Sequence, residues 1–270
     1  MGHGGFSIVR KAVDKEKGSL VAIKVIDLVA AREREADEEG PVVDPVSEIE
    51  DEIGMMKLLN HPNIVQYYDS FCTPLKYYIV LEMLPGGELL ELLNEQGTFS
   101  SALSSNYMRQ VLQAIQYMHN VGIVHRDLKL ENLLLDETKS IVKVSDFGLS
   151  INMNVETPSK CVGSIFYVAP EVLIDESYGS GVDIWSVGVM AFMLISGSPP
   201  FDAPDEEENN MEIFEKICKV EYSFEAPEWE NTEEQTKQFI QLALTKEPSE
   251  RPTASALLQH PWILSHAQNS

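Results

Sequence analysis

His125-Arg126-Asp127-Leu128-Lys129-Leu130-Glu131-Asn132 is the stretch on which the reading of this 270-residue chain turns. It sets a carboxylate, a cation two residues on and a carboxamide five residues on within one loop. Those groups supply a base that can orient a hydroxyl, a clamp for a phosphate and a ligand for a hard metal ion. An exposed charged turn would hold the same residue types, but it would not predict a second motif downstream. Fourteen positions past Asn132 stands Asp146-Phe147-Gly148, whose carboxylate can complete a Mg²⁺ shell and whose glycine lets the chain swing away. Ala169-Pro170-Glu171 then closes the segment. Three ordered motifs leave little room for chance.

Working upstream, Gly2-His3-Gly4-Gly5-Phe6-Ser7-Ile8-Val9 opens a hairpin, and alone it reads equally well as a plain turn. Val21-Ala22-Ile23-Lys24 on the next strand raises its meaning, because a loop laid over phosphates needs a cation on rigid β structure beneath it. Lys24 needs an anionic partner. Glu52 is the best placed, with Glu48 and Glu50 as alternatives that read as surface charges. Phe6 to Ile26 reads as strand, turn and strand about Lys17-Gly18, and Ile64 to Phe71 and Tyr77 to Met83 as two more strands. Ala30 to Asp51 is rich in Glu and Asp and holds Gly40, Pro41 and Pro45, so its first half reads as a solvated segment. A helix is expected from near Ser47, with Ile49, Ile53, Met56 and Leu59 at helical spacing until His61-Pro62-Asn63. A five-strand sheet with one helix therefore makes a small lobe over residues 1–84, ending before Pro85-Gly86-Gly87. Residues 85–270 read as a second lobe, mostly α, with amphipathic runs at Ser104–Asn120, Asp183–Ser196, Met211–Lys219 and Thr232–Leu244 and short β pieces around 124–145.

Composition narrows the partners. Lys and Arg number 20 against 43 Asp and Glu, a net charge of −23 that would repel a phosphate backbone, so nucleic acid is excluded as the expected ligand. Cys72, Cys161 and Cys218 are far apart and unmatched with histidine at metal spacing, which suggests neither a disulfide framework nor a zinc site. The longest apolar run, Val187 to Ile195, is far short of the roughly 20 residues a bilayer needs. A cytoplasmic chain is the expectation, with no membrane span. No D-x-[DN]-x-[DN]-G calcium loop occurs in it.

Taken together, these motifs resemble the eukaryotic protein kinase family over essentially the whole chain. The glycine-rich stretch, His61-Pro62-Asn63-Ile64, Gly86-Gly87-Glu88-Leu89 and His260-Pro261-Trp262-Ile263 are similar to the calcium/calmodulin-regulated group, most of all the calcium-dependent protein kinases of plants and protists. The resemblance implies an α+β, bilobal protein kinase fold and a serine/threonine kinase using ATP and Mg²⁺ on protein substrates. It implies that Asp127 is the catalytic base, that Lys129 touches the γ-phosphate, and that Asn132 and Asp146 hold Mg²⁺. Lys24 would grip the α- and β-phosphates against Glu52, beneath a loop formed by Gly2, His3, Gly4 and Gly5. Val9, Ala22 and Leu134 would sandwich adenine, with Leu81 as gatekeeper and the backbone of Glu82 and Leu84 reading its edge. Glu88 would meet the ribose or, with Glu131, an arginine upstream of the phosphoacceptor. Asp183 would anchor the catalytic loop and Arg251 would pair with Glu171.

The sequence departs from the family pattern in places. Leu130 stands where proline is usual and Ser7 where the third loop glycine would be. The glycine loop begins at residue 2, so the first strand is expected to be truncated. Lys24 and Glu52 are 28 positions apart, which locates an acidic insertion at about 30–47, a loop or a docking patch. Lys160 occupies the position nine before Ala169, where a phosphothreonine would neutralise Arg126, so Glu156 or a phosphate on Thr157 or Ser159 is the candidate substitute unless Arg126 faces solvent or a carbonyl. A pseudokinase scaffold is the alternative function, and its mark would be loss of Lys24, Asp127 or Asp146. All three are present. A small-molecule phosphotransferase is a further alternative, disfavoured by the Gly163–Glu171 stretch, which reads as a peptide platform. Any regulatory calcium-binding region would lie outside this chain.

Overall fold

The computed structural model describes residues 3–4, 7–37, 44–155, 162–174, 178–202 and 210–267. Gly2, Gly5, Glu156, Thr157, Ser159, Lys160 and Cys161 lie outside the described residues.

The small lobe is built on one antiparallel sheet. Its strands are β1 (His3–Gly4), β2 (Ser7–Val13), β3 (Leu20–Asp27), β4 (Tyr67–Cys72) and β5 (Lys76–Glu82), in the order β1-β2-β3-β5-β4. Register decides which side chains reach the cleft. Lys24 pairs with Val9 on one side and Ile79 on the other, and Ala22 pairs with Leu81. Residues directly opposite in a sheet share a face, so Val9 and Lys24 point the same way, as do Ala22 and Leu81.

Two helices, not one, follow β3. Helix α1 (Leu28–Asp37) occupies the stretch whose acidity suggested a solvated segment, and α2 (Pro45–Leu58) begins two residues before Ser47. The reason is local. Asp27 accepts hydrogen bonds from the backbone of Val29 at 3.0 Å and Ala30 at 3.3 Å, and the Ala, Arg and Glu residues that follow are strong helix formers. Leu28, 2 % exposed, pins the start in the core. Residues 38–43 of the insertion are outside those described. Helix α2 is capped by Asp44, which accepts from Val46, and Pro45 sits in its first turn. It buries Ile49, Glu52, Ile53 and Met56, spacings of three and four that put Glu52 on the same face as its apolar neighbours.

The large lobe packs around buried helices. Its elements are α3 (Leu89–Gln96), α4 (Ser101–Asn120), β6 (Ile123–Val124), β7 (Leu133–Leu135), β8 (Val142–Val144), β9 (Ile151–Asn152), α5 (Pro170–Leu173), α6 (Gly181–Ser196), α7 (Asn210–Lys219), α8 (Glu234–Ala243), α9 (Ala254–Leu257) and α10 (Pro261–Ala267). Helix α4 starts three residues earlier than its apolar periodicity suggests, because Ser100 caps it by accepting from Leu103. In α6 every residue from Val182 to Ile195 is buried, which makes it the axis of this lobe. Arg251 ties the base together. It donates to both oxygens of Glu171 at 2.7 and 3.0 Å and lies over the Trp185 ring. Among the described residues, no helix is long and apolar enough to cross a membrane.

Where the lobes meet, the chain after β5 runs along the hairpin β7–β8. Gly86 donates to the Leu135 carbonyl at 2.9 Å, and a Cβ on Gly86 would stand 2.1 Å from the Asp136 carbonyl oxygen, so only glycine allows that approach.

Candidate active site

A cleft of about 540 Å³ opens between the sheet and the β7–β8 hairpin. Val9, Ala22 and Lys24 line its roof, and Leu134, Asn132 and Asp146 its floor. Leu81, Glu82, Met83 and Leu84 form the back wall, where the chain passes from β5 towards α3, and Glu88 and Lys129 stand at the front. His3 and Gly4 are described as the short strand paired with Ile8 and Ser7.

The roof is organised by one cation. Lys24 lies 2.8 Å from Glu52 and 3.1 Å from Asp146, so α2 in the small lobe and the Asp146-Phe147-Gly148 motif in the large lobe converge on it. Glu48 and Glu50 are exposed and take no part. Burial works to lower the Lys24 pKa, but the Glu52 charge and then Asp146 outweigh it, and the ammonium is held above the ordinary lysine range. Asp146 responds in kind: burial would raise its pKa, and the neighbouring Lys24 carries it below the usual aspartate range. Its backbone is left-handed at φ 61, as is that of Arg126 at φ 67, and such backbone costs of order 1–3 kcal/mol that the surroundings must offset. Phe147 helps to fix the turn, being 1 % exposed and edge-on to His125 at 5.1 Å.

On the floor, four donors converge on Asp127. One oxygen accepts from the Ser164 backbone at 3.2 Å and hydroxyl at 3.1 Å, and the other meets Lys129 Nζ at 2.8 Å and Asn132 Nδ2 at 3.1 Å. Lys129 also donates to Ser164 Oγ at 2.8 Å. Asn132 spends its amide nitrogen on Asp127, donating to the carbonyl as well at 2.8 Å, which turns its side-chain oxygen towards the cleft. Asn132 and Asp146 therefore offer one amide oxygen and one half-exposed carboxylate. Among the described residues no cluster of three or more carboxylate, histidine or cysteine ligands exists that would cage a metal unaided. That donor set fits an ion that takes one or two protein oxygens and fills its shell with phosphate and water.

The loop itself hangs from α6. Asp183, 1 % exposed, accepts from the backbone of His125 and Arg126, both at 3.0 Å, and lies 2.8 Å from His119 Nε2. Burial would raise its pKa, yet the bond to neighbouring His119, followed by His125 and its backbone N–H, holds it below the aspartate range. Arg126 donates through Nε to the Leu149 carbonyl and through Nη1 to the Tyr178 hydroxyl at 3.3 Å. Of the possibilities the sequence left open for Arg126, a carbonyl is among its partners here.

Several participants were invisible in the motifs. The sequence shows Ser164 only as part of a peptide platform, and its link to Asp127 and Lys129 comes from the fold. Met56, Val65, Met83 and Glu91 line the cleft beside the residues expected there. Tyr167 donates to Glu131 at 3.2 Å, which gives that carboxylate a partner within the chain. Lys143, from the centre of β8, pairs with Glu82 on the back wall.

A family model described as "Protein kinase domain" matches residues 1–263. The chain is 39 % identical over 274 residues to a calcium/calmodulin-dependent protein kinase type 1 of Macrobrachium nipponense, covering all of this chain and 75 % of that protein. It is 38 % identical over 266 residues to the protein of that name from Caenorhabditis briggsae, covering 97 % of this chain and 70 % of the relative. To calcium/calmodulin-dependent protein kinase type 1B of Rattus norvegicus it is 37 % identical over 271 residues, covering 99 % and 74 %. These similarities support the calcium/calmodulin-regulated group as a whole and do not point specifically to the plant calcium-dependent kinases.

Proposed function

This chain belongs to the protein kinase family and is an ATP-dependent serine/threonine kinase that uses a divalent metal ion and acts on protein substrates, and on that premise we propose how its residues perform the transfer. Residues 1–84 and 85–270 act as the two lobes that close on the nucleotide. The backbone of Glu82 and Leu84 reads the adenine edge, with Val9 and Ala22 above the ring, Leu134 below it and Leu81 limiting its depth. The resemblance gives Gly2, His3, Gly4 and Gly5 the role of covering the phosphates. Lys24, kept charged and aimed by Glu52, takes the α- and β-phosphates. Mg²⁺, held by Asn132 and Asp146 together with phosphate oxygens, would neutralise the charge that spreads over the γ-phosphoryl group.

Asp127 accepts the proton of the serine or threonine hydroxyl as that oxygen attacks the γ-phosphorus in line. The bond to the β-phosphate oxygen breaks and ADP leaves with the electron pair. Lys129 stands where it can reach the transferring phosphoryl oxygens while Ser164 steadies both it and Asp127. Catalysis of this kind is largely positioning and charge neutralisation, so the value of the site lies in fixed distances. The observation that carries this reading is the convergence of Lys24 on Glu52 and Asp146 in the same cleft as the Asp127–Lys129–Ser164 cluster.

Glu88 and Glu131 give the front rim the charge to select basic residues upstream of the acceptor. Arg126 donates to the Leu149 carbonyl and the Tyr178 hydroxyl, which supports the reading that activity does not require a phosphate at position 160. Regulation by calmodulin is carried over from the relatives' names, and a cytoplasmic location from the cysteine usage. Asp127→Asn tests the mechanism. The variant binds ATP as the parent does and loses turnover by on the order of 10² to 10⁴, the span for removing a general base. A peptide kinase assay near the parental rate would remove Asp127 from the role.

A further inference from the structure

The side-chain pair formed by Lys143 and Glu82 has no part in the chemistry above, and it is a close, shielded ion pair that lies outside both the catalytic cluster and the Arg251–Glu171 tie. Lys143 Nζ lies 2.7 and 2.8 Å from the two Glu82 oxygens, with the side chains only 16 % and 23 % exposed. Glu82 is further tied to the segment leading into β4, since it exchanges two bonds with Gln66: its backbone N–H donates to the Gln66 carbonyl at 2.9 Å and its carboxylate accepts from the Gln66 N–H at 3.1 Å. An ion pair this shielded is a poor source of net stability, because apolar residues of similar size serve as well. Its worth lies in what it holds at a fixed separation.

What it holds is the nucleotide slot. Lys143 sits opposite Leu134 across the β7–β8 hairpin, so the two side chains leave the same face, and Leu134 is the cleft floor. Glu82 starts the back wall. Farther along that wall, Gly86 donates to the Leu135 carbonyl and Leu135 to the Gly87 carbonyl, both at 2.9 Å. The segment 82–87 is thus fastened to the hairpin at each end, by backbone bonds at Gly86 and Gly87 and by the ion pair at Glu82. Met83, Leu84 and Pro85 span the interval between the two fastenings.

We propose that Lys143 is a positioning residue for ATP: through the Glu82 carboxylate it sets the height of the backbone edge at 82–84 above the Leu134 floor. The proposal rests on the adenine-edge role given above to Glu82 and Leu84. It requires that losing the lysine loosens nucleotide binding and spares the phosphoryl step, whose groups lie outside strands β7 and β8.

The test uses the whole chain with Mg²⁺ and an arginine-containing peptide, comparing the parent with Lys143→Met, Lys143→Arg, Glu82→Gln and the Lys143→Met/Glu82→Gln double variant. Lys143→Met raises KM for ATP and Kd for ADP about tenfold, the scale of one charge-assisted hydrogen bond, while kcat and the peptide KM stay within about twofold. Lys143→Arg recovers most of the loss. Glu82→Gln, which keeps its shape, follows Lys143→Met, and the double variant is no worse than either single. Unchanged nucleotide constants in Lys143→Met and Glu82→Gln, an equal fall in kcat, or a Lys143→Arg variant as impaired as Lys143→Met would each overturn the role. If Lys143→Met does not fold, Glu82→Gln and Lys143→Arg decide between the same outcomes. The parent assayed with 1-deaza-ATP, which lacks the ring acceptor for the Leu84 N–H, separates the two readings. An analogue used as well as ATP sinks the adenine-edge role, whereas a poor analogue beside an unaffected Lys143→Met sinks only the lysine's.

Discussion

The floor of the cleft and its roof are held by different means. On the floor, Asp127 receives four donors, Asn132 is spent on Asp127, and the loop carrying both is suspended from Asp183 inside the most buried helix of the molecule. All of those partners belong to the large lobe. On the roof, Lys24 has its place in the strand register of β3, but its ammonium is aimed by Glu52 from α2 and by Asp146 from the floor. The catalytic-loop part of the floor is therefore complete by itself, whereas the roof is complete only when α2 lies against the sheet and the lobes are closed. One consequence is that opening the cleft would break the 3.1 Å contact between Lys24 and Asp146 while leaving the Asp127–Lys129–Ser164 cluster unchanged.

Breaking the floor's suspension should have the largest effect on stability. Asp183→Asn keeps one accepting oxygen for three donors and turns an amide N–H₂ towards the rest, at a cost of about 3–5 kcal/mol. Urea unfolding at neutral pH measures it, and a loss under about 1 kcal/mol would mean that the loop is held by something else. The pH dependence has a definite sign. The Asp183 pKa in the fold is below its ordinary value of 3.8, so the folded chain binds the proton less readily than the unfolded chain. Its stabilisation is present in full above that ordinary value and disappears as pH falls through the lower folded one. Parent and variant unfolding curves should converge in acid, and a gap that widens there contradicts the anchor.

On the roof the loss should appear in nucleotide use. Lys24→Met removes a charge-assisted contact of roughly 1.5–3 kcal/mol, about ten- to a hundredfold in kcat/KM for ATP. Glu52, 9 % exposed at its side chain, is left without its cation, so Glu52→Gln in the same chain should restore stability lost by Lys24→Met without restoring activity. Full activity in Lys24→Met would take the lysine out of the site. A double variant no more stable than Lys24→Met would show that the roof is not organised by this pair.

The same contrast explains what the sequence could tell. The floor's chemical groups are confined to residues 125–132, a local pattern with fixed residue types, and the Asp146 motif follows at short range. What holds them is dispersed. His119 and Asp183 are 64 positions apart, Lys129 and Ser164 35, and Lys143 and Glu82 61, and no periodicity or motif relates such residues before helices α4 and α6 and the hairpin have packed. The acidic insertion misled for a different reason. Its Glu and Asp content suggests solvation, whereas the Asp27 cap and the Ala-Arg-Glu run make a helix of Leu28–Asp37. Glu52 could be chosen from among its neighbours because its apolar companions recur at helical spacing, while the roof's dependence on Asp146, 122 positions away, could not.

Between floor and roof lies the front rim, where effects should be smallest because solvent screens them. Glu88 opens α3, its backbone N–H donating to Glu91 at 3.3 Å, and burial, then the charges of Glu91 and Glu131, push its pKa up. A carboxylate crowded by two others is a place where an arriving guanidinium relieves repulsion as well as making a contact. Peptides with arginine upstream of the acceptor should therefore be preferred over their alanine counterparts by about tenfold in kcat/KM. Glu88→Gln should remove most of that preference while leaving use of the alanine peptide within about twofold. The preference has its own pH signature. Because the Glu88 pKa is raised above its ordinary 4.5, the acid keeps its proton to a higher pH than a free glutamate does, and discrimination for arginine should grow as pH rises through that elevated value. Glu131, already accepting from Tyr167, should contribute less than Glu88 when changed to Gln. A peptide pair with equal kcat/KM, or an arginine preference that survives Glu88→Gln, would show that the rim does not choose the substrate and that selection lies elsewhere along the peptide platform near Ser164.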